Sequence, residues 1–463
     1  MIFGSRKLKL RWLLLSLLSK RNFEENLMQR NVVTHSTWMI AEKALSIGVN
    51  LLVTIGLARW LGPETYGQLS YIIAFVALLA PISALGLHSI IIRELGEALA
   101  TESKVLTTGL VLRLAGGLFS FVVVLLVTGV VELSGSERFS LILIALASSL
   151  HAFQVLDYYF QAKNQAQPLV MMRTFVVLSG GAMKLAIANY FPSLELIAAA
   201  FAYDYIAYAF GYWFIYHKCG FGLSLKSADA IYAKGLLKQS SWLILSGIAA
   251  IIYLKIDQVM LGIWGERQDV GIYAVAARLS EAWYIFATVI ATAYFSQLVS
   301  GRKSSRSLYY VRLQRVTDLL VIFAIAIALT VSAVAGWLVP WLFGAEYEEA
   351  VPILRIHIWA SVFVFMRAVA SKWLIAERLL KFSLLSHLGG AVINVVLNAV
   401  LIPHWGGIGA AVATVVAYAV AGFVMFSTSR STQPMAAIML KSLVLPLSLG
   451  YRYWPKKYKL NQN

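Results

Sequence analysis

Apolar runs of about 20 residues, the length that crosses a bilayer's hydrocarbon core, recur through most of this chain. Twelve are predicted as transmembrane helices, at roughly 36–58, 68–90, 105–131, 139–160, 168–190, 194–216, 239–263, 271–298, 315–342, 350–376, 380–402 and 406–429. The polar segments between them are short, so no soluble domain is inserted. A further apolar run, 435–450, is too interrupted and too short to be assigned as a span. It ends in Tyr451-Arg452-Tyr453-Trp454-Pro455-Lys456-Lys457, an aromatic and basic signature of the membrane interface.

Composition agrees with this pattern. With 60% hydrophobic and 13% charged residues and a mean hydropathy of +0.74, the chain is a polytopic, all-α membrane protein. The lone cysteine, Cys219, excludes an internal disulfide. Seven histidines show no metal-ligand spacing, and His88, His151 and His357 read as pore or packing residues. No catalytic residue, metal or cofactor is predicted. Arg6-Lys7-Leu8-Lys9-Leu10-Arg11 and Trp12-Leu13-Leu14-Leu15 look superficially like a signal peptide. The stretch is short, is closed by Lys20-Arg21 and lacks a small-residue cleavage site, so it is predicted as a basic interfacial helix on anionic lipid.

The net charge of +17 is distributed unevenly. The N-terminal tail, the C-terminal tail and the alternate loops around Arg93, Lys163, Lys218–Lys238, Arg302–Arg315 and Arg378 hold 27 of the 39 lysines and arginines. The opposite loops hold three, Arg59, Arg138 and Arg267. The positive-inside rule then places both termini in the cytoplasm, in a cell (inner) membrane, and supports an even number of spans. Much of the charge is therefore topology, and no nucleic-acid partner is predicted.

Nine bases remain inside the spans: Lys43, Arg113, Arg173, Lys184, Lys255, Arg278, Arg355, Arg367 and Lys372. A charge at mid-bilayer costs at least ~2.5–3.5 kcal/mol, so such groups line polar cavities or pair with one another. The acids inside the spans are Glu42, Asp157, Asp204, Asp257 and Glu281, with Asp318 at an edge. Bases outnumber acids, which points to an anionic cargo. Arg113, Arg173, Lys184, Arg278 and Arg367 are the predicted contacts to it. Lys255, Asp257, Arg278 and Glu281 fall at similar depth on two adjacent spans and are predicted as an ion-paired clamp or gate. Asp204, beside Tyr203, Tyr205 and Tyr208, is the first candidate for a coupling-ion carboxylate, with Asp157 second; a hydrogen bond to one of those tyrosines is the alternative. Arg355 and Lys372 lie near span ends and can snorkel. Glu42 and Lys43 diverge by about 100° on a helix and are expected to pair with other helices.

Weak internal repeats divide the chain. Leu61-Gly62 joins the first two spans as Leu261-Gly262 joins the seventh and eighth, and Pro192 with Ala198-Ala199-Ala200 matches Pro403 with Gly409-Ala410-Ala411. The predicted organisation is a basic N-terminal segment (1–30), a six-helix bundle (31–216), a linker (217–238), a second bundle (239–430) and a basic tail (431–463). Two related bundles in one orientation are common in transporters, with substrate between the halves. Pro81 and the doublets Gly116-Gly117, Gly180-Gly181 and Gly389-Gly390 read as hinges or as close helix packing.

The same segments resemble a known family. Ala58-Arg59-Trp60-Leu61-Gly62-Pro63-Glu64-Thr65-Tyr66-Gly67, Leu85-Gly86-Leu87 and Arg93-Glu94-Leu95-Gly96 are similar to the first helix pair of polysaccharide flippases (O-antigen or exopolysaccharide type) of the multidrug/oligosaccharidyl-lipid/polysaccharide exporter superfamily. Lys255-Ile256-Asp257-Gln258-Val259-Met260-Leu261-Gly262, Leu342-Phe343-Gly344-Ala345-Glu346-Tyr347 and Gly407-Ile408-Gly409-Ala410-Ala411 extend the likeness, which runs from about residue 30 to 430. It implies two six-helix bundles around a central cavity and alternating access. The implied cargo is an undecaprenyl-pyrophosphate-linked oligosaccharide moved to the external leaflet, with a polysaccharide polymerase and glycosyltransferases as companions. Arginine forks suit pyrophosphate oxygens, and no Walker-type ATP loop is present. A cation-coupled multidrug or metabolite antiporter would instead want an anionic cavity. A cell-wall assembly enzyme would want a large external loop and a nucleophile–base pair, and neither is found.

Overall fold

The computed structural model describes residues 3–165 and 167–446, with side chains from Trp38 onward except at positions 40, 225, 296–304 and 380. Among the described residues the chain forms sixteen α-helices and no strand. The first half holds α1 (Phe3–Ala84), α2 (His88–Gly96), α3 (Glu102–Thr128), α4 (Gly135–Ser148), α5 (Val155–Ala162), α6 (Gln167–Tyr190) and α7 (Leu194–Lys218). The second holds α8 (Ala230–Trp264), α9 (Arg267–Glu281), α10 (Tyr284–Ser304), α11 (Arg306–Phe343), α12 (Ala350–His357), α13 (Ala360–Ala376), α14 (Leu380–Ala419), α15 (Met425–Ser427) and α16 (Gln433–Val444).

Among the described residues, ten stretches are long and apolar enough to cross a membrane, and two of these are double length: 56 residues over Ala41–Gly96 and 47 over Lys381–Ser427. A single crossing takes about 20 residues, so each holds two passes. The breaks fall at Gly62 (φ 73°, ψ 169°) and Gly406 (φ 51°, ψ −130°), backbone conformations that glycine adopts without strain. Beyond Gly406 the chain folds back on itself, since Gly409 packs on the Leu401 carbonyl and Gly390 on Ala421. The twelve predicted spans are thus present, several with internal kinks. The fourth is α4, a 3₁₀ segment (Ser149–Gln154) and α5. There the Ser148 and Ser149 hydroxyls bond back to the Ala145 and Leu146 carbonyls, competing with the α-helical ladder.

Helices α1–α7 are termed the N lobe and α8–α15 the C lobe. The three glycine doublets are packing sites. Gly116 lies on the Ile82 carbonyl, Gly117 on Ser149, Gly181 on Val49 and Val53, and Gly389 on Met425. The linker docks on the N lobe: Lys104 pairs with Asp229 at 2.6 Å and Tyr232 donates to Glu94 at 3.0 Å. Bonding to Lys104 holds the Asp229 carboxyl below the usual carboxylate range.

The described part of the undecided run at 435–450 holds most of α16, which lies along α11. Gln314 donates to the Ile438 carbonyl (3.1 Å) and Ser442 Oγ (2.9 Å), and Ser442 to Asp318 (2.6 Å). Residue numbers rise together on both helices, so α16 runs parallel to α11 and buries Met435 and Met439 against the lobe. The interface signature at 451–457 falls outside the described residues, as do the side chains of the basic N-terminal segment.

Candidate functional site

Two adjoining cavities occupy the N lobe and share Phe201 and Tyr205 of α7 as a common wall. The larger, about 340 Å³, lies between the second half of α1, α3, the fourth span and α7, with Arg113, His151, Gln154 and Ser83 among its lining. Its wall is otherwise mostly apolar. The smaller, about 240 Å³, lies between the first half of α1, α6 and α7 and is lined by Ser46, Asn50, Lys184, Asp204, Tyr205 and Tyr208.

Arg113 is 1% exposed and bonds only to neutral groups: Tyr158 Oη at 2.6 Å and Gln154 Oε1 at 3.3 Å. Its Nε has no partner, nor does the Ser83 hydroxyl on the same cavity. The glycines at 116 and 117 let α3 approach closely enough for this placement. Lys184, by contrast, is ion-paired with Asp204 and sits 4.4 Å from the centre of the Phe201 ring. Gly180 makes room for the Asp204 carboxylate, since a methyl group there would collide with Oδ1. Asp204 therefore pairs with lysine and not with its neighbouring tyrosines. Arg173 bridges Asp157 (3.0 Å) and Glu42 (3.3 Å), tying the sixth helix to the fourth and first spans. Lys43, one residue on from Glu42, is exposed.

The remaining predicted contacts lie elsewhere. Arg367 borders a separate C-lobe cavity. Arg278 is the one exposed residue of α9 after its first turn. Of the four residues expected as a clamp or gate, Lys255 and Glu281 form an ion pair, at 2.9 and 3.1 Å. Asp257 does not join it. Two residues along α8 its side chain points the other way, where it accepts from Tyr273, from Thr414 Oγ1 (3.2 Å) and from the Gln258 amide (2.8 Å). The span-end bases Arg355 and Lys372 reach the Ser332 carbonyl (3.1 Å) and the Phe295 ring (5.6 Å).

The lobes meet at the charge-poor end. Gly67 of α1 lies against the Arg267 carbonyl, and Gly271 of α9 against the Pro63 carbonyl. Arg267 of the C lobe pairs with Glu137 of the N lobe and stacks 4.1 Å from the centre of the Tyr71 ring. Tyr347 Oη donates to the Ala58 carbonyl at 2.9 Å, and Arg59 to the Trp341 carbonyl at 3.1 Å. Helix α10 packs on α11 and α13 of its own lobe, while toward the basic end the N lobe also touches α8: Gly86 lies on Leu243, Gly247 on Pro81, and Arg93 donates to Gln239 at 2.6 Å.

This arrangement can be set beside known proteins. The sequence profile of a family described as polysaccharide biosynthesis protein matches residues 32–300, more than half of the chain. The chain belongs to that family. Over 201 residues it is 27% identical to the "Probable low-salt glycan biosynthesis flippase Agl15" of Haloferax volcanii, a match covering 42% of each protein. Its fold is shared with the lipid II flippase MurJ in an inward closed conformation (TM-score 0.67, 14% identity, 91% of this chain and 93% of that one). An inward-facing multidrug resistance MATE transporter of the MOP superfamily is similar too (TM-score 0.62, 14% identity, 89% and 96%). So is a MOP superfamily transporter from Pyrococcus furiosus whose binding pocket is described as having reverse polarity (TM-score 0.58, 15% identity, 90% and 96%).

Two features of this family member escape a reading by composition. Arg267 counts as a loop charge, yet it joins the lobes. Its partner Glu137 does carry a local signal: Ser134-Gly135-Ser136-Glu137 is a capping box that opens α4, and it leaves one carboxylate oxygen free for Arg267. Gln154 and Tyr158, which hold Arg113, carry no signal because an apolar span gives no reason to single them out.

Proposed function

We propose that this protein is a flippase that carries an undecaprenyl-pyrophosphate-linked oligosaccharide from the cytoplasmic to the external leaflet, for assembly of a cell-surface polysaccharide. The observation that carries this reading is Arg113, a buried guanidinium without a carboxylate partner on the wall of the larger N-lobe cavity. Moving hydroxyls and a pyrophosphate past hydrocarbon requires a polar, cationic path, and an arginine fork suits phosphate oxygens. Arg113 receives the pyrophosphate. The exposed Arg278 assists it, as does Lys184 when its pairing with Asp204 exchanges, and the lipid tail stays in the bilayer. The basic end faces the cytoplasm, where cargo loads, and the joined charge-poor end faces outward. Such a protein does no bond chemistry. A multidrug antiporter remains the second reading; an organic cation would be repelled by Arg113, which disfavours it.

Deleting the gene in a strain without a redundant flippase should leave undecaprenyl-linked units on the cytoplasmic side and abolish surface polymer. Unchanged surface glycan and lipid-linked intermediates would sink the proposal. In complementation, Arg113→Gln should cut surface polymer at least about tenfold, while Arg113→Lys keeps part of it, since loss of a charge-assisted bond costs ~1.5–3 kcal/mol. Full function in a stably expressed Arg113→Gln protein removes Arg113 from cargo binding.

A further inference from the structure

The C lobe encloses a cavity of about 110 Å³, walled by Tyr253 and Leu254 of α8, Tyr284 of α10, Arg367 of α13 and Tyr418 of α14. Its remaining side is a π-helical turn, Val420–Val424, which contributes Ala421 and Gly422. Single π turns widen a helix locally and collect at functional sites.

Arg367 is 9% exposed, and every contact it makes is neutral. Nη2 donates to Ser383 Oγ at 3.1 Å and to His387 Nε2 at 2.9 Å, and the guanidinium lies 5.5 Å from the centre of the Phe426 ring. Nε and Nη1 have no partner. Arginine only donates, so His387 Nε2 accepts and the imidazole proton resides on Nδ1, which is also unpartnered. The Tyr284 hydroxyl is unpartnered as well. These buried, unpartnered positions can therefore all donate, and the one charged side chain on the cavity wall is Arg367. Glu281, ion-paired with Lys255, and Asp257 lie further off, within electrostatic range of Tyr284 and Tyr418. A buried cation left without a counter-charge is strongly disfavoured, and neutral serine and imidazole do not supply one.

We propose that this cavity is a binding site for a small inorganic monoanion of the chloride class, held by the free Nε and Nη1 groups of Arg367 and by Tyr284 Oη. Its size supports that class. A water occupies ~30 Å³ in the liquid, so the space admits a halide with one or two waters and excludes a sugar pyrophosphate. The site lies in the lobe opposite Arg113 and does not depend on what the cargo is.

The test uses full-length protein in nanodiscs, exchanged into sodium gluconate and titrated with sodium chloride or bromide at constant ionic strength, with thermal unfolding followed by tryptophan fluorescence. The melting temperature of the wild type should rise saturably with halide. Arg367→Gln should flatten the titration, Tyr284→Phe should weaken halide affinity about tenfold, the loss of one charge-assisted bond, and Arg113→Gln should keep the wild-type response. A wild type indifferent to halide, or an Arg367→Gln protein that responds like it, overturns the proposal. Should Arg367→Gln fail to fold, bromide-soaked wild-type crystals decide the matter. Anomalous density within hydrogen-bonding distance of the Arg367 guanidinium supports the site, and its absence there overturns it.

Discussion

Valine in place of Gly67 should leave the protein open at its charge-poor end. A side chain at 67 has nowhere to go, because its first carbon would overlap the backbone carbonyl of Arg267. Gly271 faces the Pro63 carbonyl in the same way, so the two lobes touch backbone to backbone. A backbone carbonyl cannot rotate aside as a long side chain can, and the lobes must part. Overpacking of this kind costs ~1–3 kcal/mol, which shifts a two-state equilibrium about fivefold to 150-fold toward the open form. Ser70, buried one turn along α1, reports the change. In a Cys219→Ser background, Ser70→Cys should react with a membrane-impermeant maleimide at least about five times faster once Gly67→Val is added. Gly67→Ala should fall between. Glu137→Gln should have a smaller effect in the same direction, since it removes the ion pair with Arg267 and leaves the glycine contact intact. Equal labelling in all backgrounds would mean that the contact is not a gate.

The lobe interface shows where a sequence is informative and where it is not. Twelve apolar windows and the breaks at Gly62 and Gly406 were readable because hydrocarbon imposes a length on every span, and glycine marks the turns. The Lys255–Glu281 pair was readable because two spans joined by a short loop must lie side by side at matched depth. Asp257 was not, because helical phase separates it from Lys255, and its partners Tyr273 and Thr414 lie on other helices. A count of bases against acids foresaw a cationic surplus. It could not say that Arg113 and Arg367 keep neutral partners while Arg173 takes both Asp157 and Glu42. That division depends on which side chains helix packing brings within about 3 Å, and apolar spans disclose little of it.

Asparagine at position 204 should destabilise the protein more than removal of both members of its ion pair. The Lys184 side chain is 6% exposed and that of Asp204 is 25% exposed, so neutralising the acid strands a buried ammonium between α6 and α7. Breaking a buried pair from one side costs ~3–5 kcal/mol, whereas replacing both partners with neutral groups is often close to neutral. Asp204→Asn should therefore melt well below the wild type, and Lys184→Met with Asp204→Asn should recover most of the loss. A double-mutant cycle on purified protein gives the coupling directly. Transport then separates two roles that stability alone leaves merged. If Asp204 carries a coupling ion, the double variant folds normally but no longer supports surface polysaccharide. If the pair only holds α6 against α7, the double variant regains transport together with stability. Asp204 lines the smaller N-lobe cavity and its Oδ1, buried against Gly180, has no partner, which favours the first outcome.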